Sequence, residues 1–330
     1  PAYIEIFNEP DGSFWMGSKA NFYTLYNTTT DAIRAVAPAG TKIGGPAFTN
    51  EFQTHLSISS NPAADFVTNV TASRLDFLSG HVYGSCESAT LADMVTKMNQ
   101  LRSYMNSNGL SSKPLIISEW NIGLNCSTDD SFHSARAQSF NGAMMSLMQD
   151  SSLNIEKAMY YVGFGMMSFV TMDTSNVGTL TIYPGAWAFK AHSQLIGGTA
   201  LSTQVCDSSS TCLSGSATYS SPVQATVVSQ GGGIKAVLAN DTASTASTSL
   251  QIKNWTGSSS PNVTVYSYPS TSTTVSATSG AGVYTVSSTA AAALLTASTK
   301  TTTGSASISG STLSTSVSIP SYSAILVTIQ

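Results

Sequence analysis

Short apolar runs alternate with helix-like segments along residues 1 to about 195. The runs are "YIEIF", "TKIGGPAF", "LDFLSGHVYG", "KPLIISEWN" and "EKAMYYVGFGM", and longer segments of helical pattern lie between them. Gly109 stands where a helix end needs a left-handed cap, and Pro184 stands at a suitable first helical position. Strands that alternate with helices at this spacing predict βα units around a parallel sheet.

From about residue 196 the chain becomes rich in Ser, Thr, Gly and Val. Segments of period two such as "IKAVLAN" and "NVTVYSYP" recur with turn residues between them, which predicts an antiparallel β-sandwich. A disordered Ser/Thr-rich stalk is the alternative, and the stretch 296–315 fits the strand pattern least well. We therefore expect two domains, residues 1–195 and residues 196–330.

The low charge of the chain narrows the choice of partners. Charged residues make up 9% of the sequence, and the net charge is -4 with 13 Lys and Arg residues. Binding to a phosphate backbone needs clustered cations, so nucleic acid is not an expected partner. No apolar run approaches the roughly 20 residues of a membrane-spanning helix, so no membrane partner is expected either.

The cysteines favour disulfides over a metal site. Cys206 and Cys212 bracket a short polar loop that a disulfide could close, and the remaining pair, Cys86 and Cys126, each follow a strand-like run. Zinc ligands normally come as a CxxC pair or with nearby His, and neither arrangement occurs here. We expect two disulfides and no metal.

The acceptor pattern for N-glycosylation strengthens a secretory interpretation, although a chain this rich in Ser and Thr also produces such triplets by chance. The triplets begin at Asn27, Asn69, Asn125, Asn240, Asn254 and Asn262. A sugar at Asn125 is disfavoured if the adjacent Cys126 is bonded, so we expect glycans at the other five. Pro1 is not an initiator residue, so we expect a secreted protein whose targeting segment has been removed.

Two of the predicted strands end in a carboxylate. Glu9 follows "YIEIFN" and Glu119 follows "PLIIS". In a barrel of parallel strands the carboxyl ends form the rim of the active site, so both side chains would face one cleft. Cleavage of a glycosidic bond needs such a pair, because one carboxyl group protonates the leaving oxygen while the other attacks the anomeric carbon or activates water.

The segments "FNEPDGSFW" and "IISEWN" resemble the acid/base and nucleophile motifs of the clan A retaining glycoside hydrolases, and most closely family 39, the β-xylosidase family. The resemblance implies a (β/α)8 TIM-barrel fold in which the five runs are strands 4 to 8, followed by the β-sandwich. It implies that Glu9 is the acid/base, that Glu119 is the nucleophile and that no cofactor is needed.

The same resemblance, together with strand alternation, suggests further contacts to a saccharide substrate. Asn8 would bind the 2-hydroxyl group of the sugar, and His81 and Tyr83 would point to one face of their strand. His133 could reach the rim, although such a His is more often structural.

Apolar platforms for a sugar ring could come from Trp15, Trp120 and Phe164, although Trp15 and Trp120 can equally be core residues. Cys86 and Cys126 would tie two neighbouring rim loops together.

A closed barrel needs eight strands, and this chain offers strands 4 to 8. Unpaired parallel edges beside a buried core are unstable, so we expect a complementing N-terminal segment or chain that supplies strands 1 to 3. The predicted function is that of a secreted, exo-acting retaining glycosidase of β-xylosidase type. An endo-acting glycanase of the same clan and a non-catalytic carbohydrate-binding relic are the alternatives.

Overall fold

The computed structural model describes residues 2–12, 14–49, 62–86, 90–124, 126, 130–163, 167–172, 179–206, 221, 223–280, 283–286, 299–303 and 306–330. In the first part of the chain, strands and helices alternate. They are β1 (Tyr3–Glu5), α1 (Lys19–Val36), β2 (Lys42–Phe48), α2 (Pro62–Val70), β3 (Phe77–Tyr83), α3 (Thr90–Ser107), β4 (Leu115–Asn121), α4 (Asp130–His133), α5 (Ala135–Leu147) and β5 (Ile155–Tyr160).

The strands β1 to β5 form one five-stranded sheet in chain order, and every neighbouring pair is parallel. The predicted parallel sheet is therefore confirmed. The sheet curls strongly, so that the Tyr3 hydroxyl group on β1 reaches and donates to Glu156 on β5. The Lys157 ammonium group lies 4.5 Å from the centre of the Tyr3 ring, so the two edge strands approach each other at their amino-terminal ends.

Helices cover the outer face of this sheet through regularly spaced apolar residues. In α1, Phe22, Tyr26 and Thr30 are buried, a spacing of four that lines one side of the helix. Helix α3 is followed by Gly109 with φ of +77°, and the Leu110 amide donates to the Met105 carbonyl at 2.9 Å. The left-handed cap predicted at Gly109 is thus confirmed.

Two strands end earlier than the sequence predicts. Strand β1 stops at Glu5 because Phe7 takes a φ of +74°, which turns the chain out of the extended conformation before Asn8. Strand β5 stops at Tyr160, and residues 161–163 are not part of it. The chain beyond each stop forms part of the rim at the carboxyl ends of the strands.

The rest of the described chain is mostly antiparallel. Its elements are β6 (Val170–Met172), β7 (Thr179–Ile182), α6 (Gly185–Ser193), β8 (Thr199–Ala200), β9 (Val223–Gln230), β10 (Gly233–Asn240), β11 (Ala246–Ile252), β12 (Val263–Ser267), β13 (Thr273–Gly280), β14 (Val283–Val286), β15 (Thr299–Thr303), β16 (Ser307–Ser309), β17 (Thr312–Ile319) and β18 (Ser323–Ile329). Pro184 directly precedes α6, within one residue of the predicted start.

Three antiparallel sheets result. Their strand orders are β15-β12-β18-β10-β9-β8, β11-β17-β16 and β14-β13-β7-β6. Apolar residues of the first two sheets share one core cluster, which includes Ile234, Val265 and Ile329 from one sheet and Leu313 and Val317 from the other. The assignment of residues 196–330 as an accessory β-sandwich domain stays a prediction.

Helix α5 lies between the parallel sheet and the antiparallel region. Gly142 packs so closely that a Cβ atom there would lie 2.9 Å from the Ala324 Cβ and 3.0 Å from the Ala239 Cβ. The pairing of β7 with β13 joins residues on either side of the boundary predicted at residue 195. That boundary itself stays a prediction.

Candidate active site

The loop after β1 is fixed to the neighbouring strand β2 by buried hydrogen bonds. The Glu9 amide donates to the Ala47 carbonyl at 3.0 Å. The Asp11 carboxylate is 3% exposed and accepts hydrogen bonds from the amide and hydroxyl groups of Thr49, each at 3.0 Å. Burial raises the pKa of Asp11, while these hydrogen bonds act against that rise. The loop therefore presents Glu9 at a defined place on the rim.

Two side chains from β3 connect the carboxylates of Glu9 and Glu119. His81 is 2% exposed, and its Nδ1 atom lies 2.6 Å from Glu9 Oε1 and 3.5 Å from Glu119 Oε2. The Tyr83 hydroxyl group donates to Glu119 Oε2. Burial, followed by this hydrogen bond to a carboxylate, raises the pKa of Tyr83, so the phenol stays protonated.

The two carboxylates converge on one point. One oxygen of Glu9, one oxygen of Glu119 and one nitrogen of His81 all lie within 4.8 Å of one another. The Glu9 and Glu119 side chains are 21% and 23% exposed, so they are accessible from the rim. These oxygen and nitrogen atoms could also hold a metal ion, although we expected none from the sequence. The catalytic roles of Glu9 and Glu119 stay predictions.

Some of the predicted sugar contacts lie at the rim, and others pack into the core. Asn8 is exposed beside Glu9. Trp15 is half-buried, packs edge-on against Phe7 and Phe22 with ring centres 5.5 and 5.6 Å away, and donates its indole N–H to the Ser18 carbonyl. Its body thus fills the core beneath the loop, and a sugar contact by Trp15 stays a prediction.

Trp120 is 1% exposed and does not reach the rim surface. It packs between Tyr160 and Phe189, with ring centres 5.0 and 6.0 Å away. Successive side chains of a strand point to opposite faces, so Trp120 points away from its neighbour Glu119. The prediction that Trp120 supports a sugar ring is therefore wrong in this fold, and we assign it to the core.

His133 ends α4 in the segment after β4, and its ring stacks on Tyr183 with centres 3.6 Å apart. This contact joins the segment after β4 to the residue that follows β7, and a sugar contact by His133 stays a prediction. Phe164 lies outside the described residues.

The disulfide between Cys86 and Cys126 is present, with the two Cα atoms 5.6 Å apart. It joins the segments that follow β3 and β4, where the Cys86 amide also donates to the Ile122 carbonyl. Cys206 is also disulfide-bonded, and its predicted partner Cys212 lies outside the described residues.

The predicted glycosylation at Asn240 is wrong in this fold. The Asn240 side chain is 0% exposed, and its amide donates to the carbonyl groups of Ser244, Ile319 and Pro320 at 2.9, 3.2 and 3.0 Å. Glycosylation of the remaining predicted sites stays a prediction. Asn27 is partly exposed, and the exposed acceptors are Asn69, Asn254 and Asn262. Asn125 lies outside the described residues.

Sequence reasoning missed Asn121 and Tyr161. Asn121 is 0% exposed and donates to the carbonyl groups of Tyr161 and Met167. Tyr161 is 42% exposed and packs edge-on against Tyr83, with ring centres 6.5 Å apart. Asn121 could have been found from strand alternation, because a residue two positions after Glu119 lies on the same face of the strand.

None of the helices in the described ranges is long and apolar enough to cross a membrane.

Comparison with curated protein sequences gave no match. The sequence model of the glycosyl hydrolases family 39 matches residues 2–177, more than half of the chain.

Several solved structures are similar. A glucosidase from Croceicoccus marinus has a TM-score of 0.60 at 17% identity, and a β-xylosidase from Caulobacter crescentus CB15 has a TM-score of 0.59 at 15% identity. The family 39 enzyme from Xanthomonas axonopodis pv. citri has a TM-score of 0.59 at 13% identity. The alignments cover 99% of this chain and 68%, 69% and 68% of those chains, in the same order.

The likeness in structure shows the barrel fold, and the sequence match shows the family. A parallel sheet with two carboxylates at the rim agrees with both. The chain belongs to the glycosyl hydrolases family 39 and is a glycoside hydrolase that acts on saccharides.

Proposed function

We propose that this protein cleaves β-glycosidic bonds with retention of configuration, with Glu9 as acid/base and Glu119 as nucleophile. The observation that carries the proposal is that oxygens of the two carboxylates lie within 4.8 Å of each other. Carboxyl groups about 5 to 5.5 Å apart are typical of retaining enzymes, whereas inverting enzymes keep them about 6.5 to 9.5 Å apart to admit a water molecule.

The reaction proceeds in two displacements. Glu119 attacks the anomeric carbon while Glu9 gives its proton to the leaving oxygen, which breaks the glycosidic bond and leaves a glycosyl ester on Glu119. Glu9 then takes a proton from water, and the hydroxide displaces Glu119 and releases the sugar. Tyr83 orients Glu119 through its hydroxyl group, and His81 orients Glu9 through Nδ1.

We also propose that the enzyme is exo-acting and cleaves β-xylosides. This proposal is supported by the likeness to the β-xylosidase from Caulobacter crescentus. Product analysis from a xylan polymer tests it, because an exo-acting enzyme releases only monosaccharide in the first turnovers. Oligosaccharides among the early products would instead favour the endo-acting alternative.

Replacement of the nucleophile tests the whole mechanism. In the full-length protein, Glu119→Gln should lower kcat on an aryl β-glycoside by about 10³-fold or more, because the covalent intermediate cannot form. The matched control is Glu156→Gln at the opposite end of the sheet, where the side chain accepts a hydrogen bond from Tyr3. Equal activity of Glu119→Gln and the control would refute the mechanism and favour a non-catalytic carbohydrate-binding protein.

We further propose that additional barrel strands pair with β1 and β5 and are supplied by an N-terminal segment or by a second chain. Support comes from β5, whose residues Glu156 to Met159 are exposed, and from the edge positions of both strands in the described sheet. Exposed parallel edges are unusual in barrels. In the full-length protein, amide hydrogen exchange of β5 should therefore be as slow as that of β4. Fast exchange confined to β5 would contradict this proposal.

Secretion is proposed on separate grounds. The disulfide between Cys86 and Cys126 and the exposed acceptors Asn69, Asn254 and Asn262 suit an oxidising secretory compartment. Enzymatic removal of N-glycans from the natural protein should lower its mass, and an unchanged mass would count against glycosylation.

A further inference from the structure

We propose that Asn121 is a positioning residue that fastens the segment after β5 to the nucleophile strand and so holds Tyr161 beside Tyr83. The proposal rests on the proposed function, because it concerns the alignment of Glu119. It assigns a role to a side chain that touches neither carboxylate in the reaction described above.

The hydrogen bonds of Asn121 span three parts of the chain. Its Nδ2 atom donates to the Tyr161 carbonyl at 2.6 Å and to the Met167 carbonyl at 2.8 Å. Its Oδ1 atom accepts from the Ile122 amide at 2.7 Å. Both amide hydrogens are therefore used to hold residues 40 and 46 positions away in sequence. Because Asn121 is 0% exposed, water cannot replace these hydrogen bonds.

The fastened segment reaches Glu119 through two aromatic rings. The Tyr161 ring packs edge-on against Tyr83, with centres 6.5 Å apart and planes at 86°. The Tyr83 hydroxyl group in turn donates to Glu119 Oε2. The amide of Tyr161 is held by the Trp120 carbonyl at 3.0 Å, so two consecutive residues of β4 fix the backbone of Tyr161 on both sides.

A purely structural role is the competing explanation, and Asn240 provides the comparison for it. Asn240 is likewise 0% exposed, and its amide donates to three backbone carbonyl groups. It lies at the end of β10 in the antiparallel region, and nothing in the proposed mechanism depends on it. The two asparagines thus match in burial and in bonding but differ in location.

The test compares Asn121→Asp with Asn240→Asp in the full-length protein. Each change replaces an amide donor by a carboxylate oxygen that faces carbonyl oxygens, so both variants should lose stability. Asn121→Asp should lower kcat/KM on an aryl β-glycoside by about 10- to 100-fold, mainly through kcat, because a small displacement of reacting groups is costly. Asn240→Asp should keep kcat/KM within about twofold of the wild type.

A second comparison follows the path through Tyr161. Tyr161→Ala should lower kcat/KM by an amount similar to Asn121→Asp, and the double variant should lose little more, because both changes remove the same ring contact. Fully additive losses would overturn the proposed path. Equal losses in Asn121→Asp and Asn240→Asp would also overturn the proposal, as would unchanged kinetics in Asn121→Asp.

Hydrogen exchange gives a readout that needs no activity. Amide exchange in peptides that span Tyr161 and Met167 should become at least about tenfold faster in Asn121→Asp and stay unchanged in Asn240→Asp. Unchanged exchange in Asn121→Asp would overturn the proposal. If the wild-type protein hydrolyses no glycoside, the proposed function fails, and the exchange rates alone decide whether Asn121 fastens this segment.

Discussion

The proposed alignment of Glu119 depends on a hydrogen bond from the Tyr83 hydroxyl group. This group donates to Glu119 Oε2 from a buried position on β3, where Tyr83 is 2% exposed. Hydrogen bonds to charged groups contribute about 1.5–3 kcal/mol, so Tyr83→Phe should lower kcat/KM by about 10- to 100-fold. Initial rates on an aryl β-glycoside measure this loss.

A second tyrosine supplies the control for this prediction. The Tyr26 hydroxyl group on α1 is buried without a hydrogen-bond partner among the described residues. Tyr26→Phe should therefore leave kcat/KM unchanged and cost no stability. A similar loss of activity in both variants would show that hydroxyl removal acts through the fold rather than through Glu119.

The half-buried carboxyl group of Asp241, beside α5, makes the stability of the protein depend on pH. Burial raises the pKa of Asp241 to about 6, against the opposing effects of a hydrogen bond from Ser139 and the charge of Arg136. Because of this raised pKa, the folded protein binds more protons than the unfolded chain between pH 4 and 6. The contribution of Asp241 to the free energy of unfolding therefore falls as the pH rises through this window.

The variant Asp241→Asn should remove this loss. Urea denaturation at each pH gives the free energy of unfolding of both proteins. The value for the variant minus the value for the wild type should increase by on the order of 1–3 kcal/mol from pH 4 to pH 7. Burial lowers the pKa of His192 to about 4, which acts in the opposite direction in both proteins and cancels in the comparison. A difference that stays constant with pH would contradict the assignment.

Single residues were predictable from the sequence where the strand pattern determined their direction. Glu9, His81, Tyr83 and Glu119 meet at one rim because strand ends and alternation fix both place and side. Asn240 was mistaken for a glycan acceptor because the acceptor triplet is local, whereas its burial depends on residues 319 and 320. Trp120 was mistaken for a sugar contact for the same reason, because its burial depends on aromatic neighbours from β5 and α6.

Among the elements, helix α5 carries the close contact between the parallel sheet and the antiparallel region. Gly142→Ala would place its methyl carbon 2.9 Å from the Ala324 Cβ and 3.0 Å from the Ala239 Cβ. Overpacking of this kind costs about 1–3 kcal/mol, which exceeds the roughly 1 kcal/mol that Ala gains over Gly in a helix. Chemical denaturation should therefore show a net loss of stability.

Removal of the opposing methyl group provides the control. In the Gly142→Ala/Ala324→Gly double variant, part of the lost stability should return relative to the sum of the single changes. Strict additivity would mean that the two sites do not touch in solution, and the packing of α5 described here would be wrong.

The parallel strands were predictable as elements because each is a continuous apolar run between helical segments. The sheet of β6, β7, β13 and β14 was not, because β7 pairs with a strand some 90 residues later in the register Thr273 with Ile182. Such pairing is decided by tertiary packing and leaves no local pattern in the sequence. Helix α5 is a related case, since Gly142 packs against Ala239 and Ala324, which lie about 100 and 180 residues later in sequence.

In the molecule as a whole, a curled parallel sheet presents two carboxylates at one end, while antiparallel sheets support it through α5. The amino-terminal ends of β1 and β5 are in contact through Tyr3, Glu156 and Lys157. Glu9 and Glu119 lie at the opposite, carboxyl-terminal ends of the strands, where the loop after β1 is fixed by Asp11 and the segments after β3 and β4 are joined by the Cys86–Cys126 disulfide. The architecture thus keeps the rim ordered around Glu9 and Glu119.

Covalent labelling would show directly whether Glu119 is the nucleophile. The full-length protein is incubated with an activated 2-deoxy-2-fluoro-β-xyloside, which forms the glycosyl ester but slows its hydrolysis, and the peptides are then analysed by mass spectrometry. We expect one sugar per protein, attached to Glu119, and no label in Glu119→Gln. A label on another residue, or turnover of β-xylosides with an α-configured first product, would contradict it.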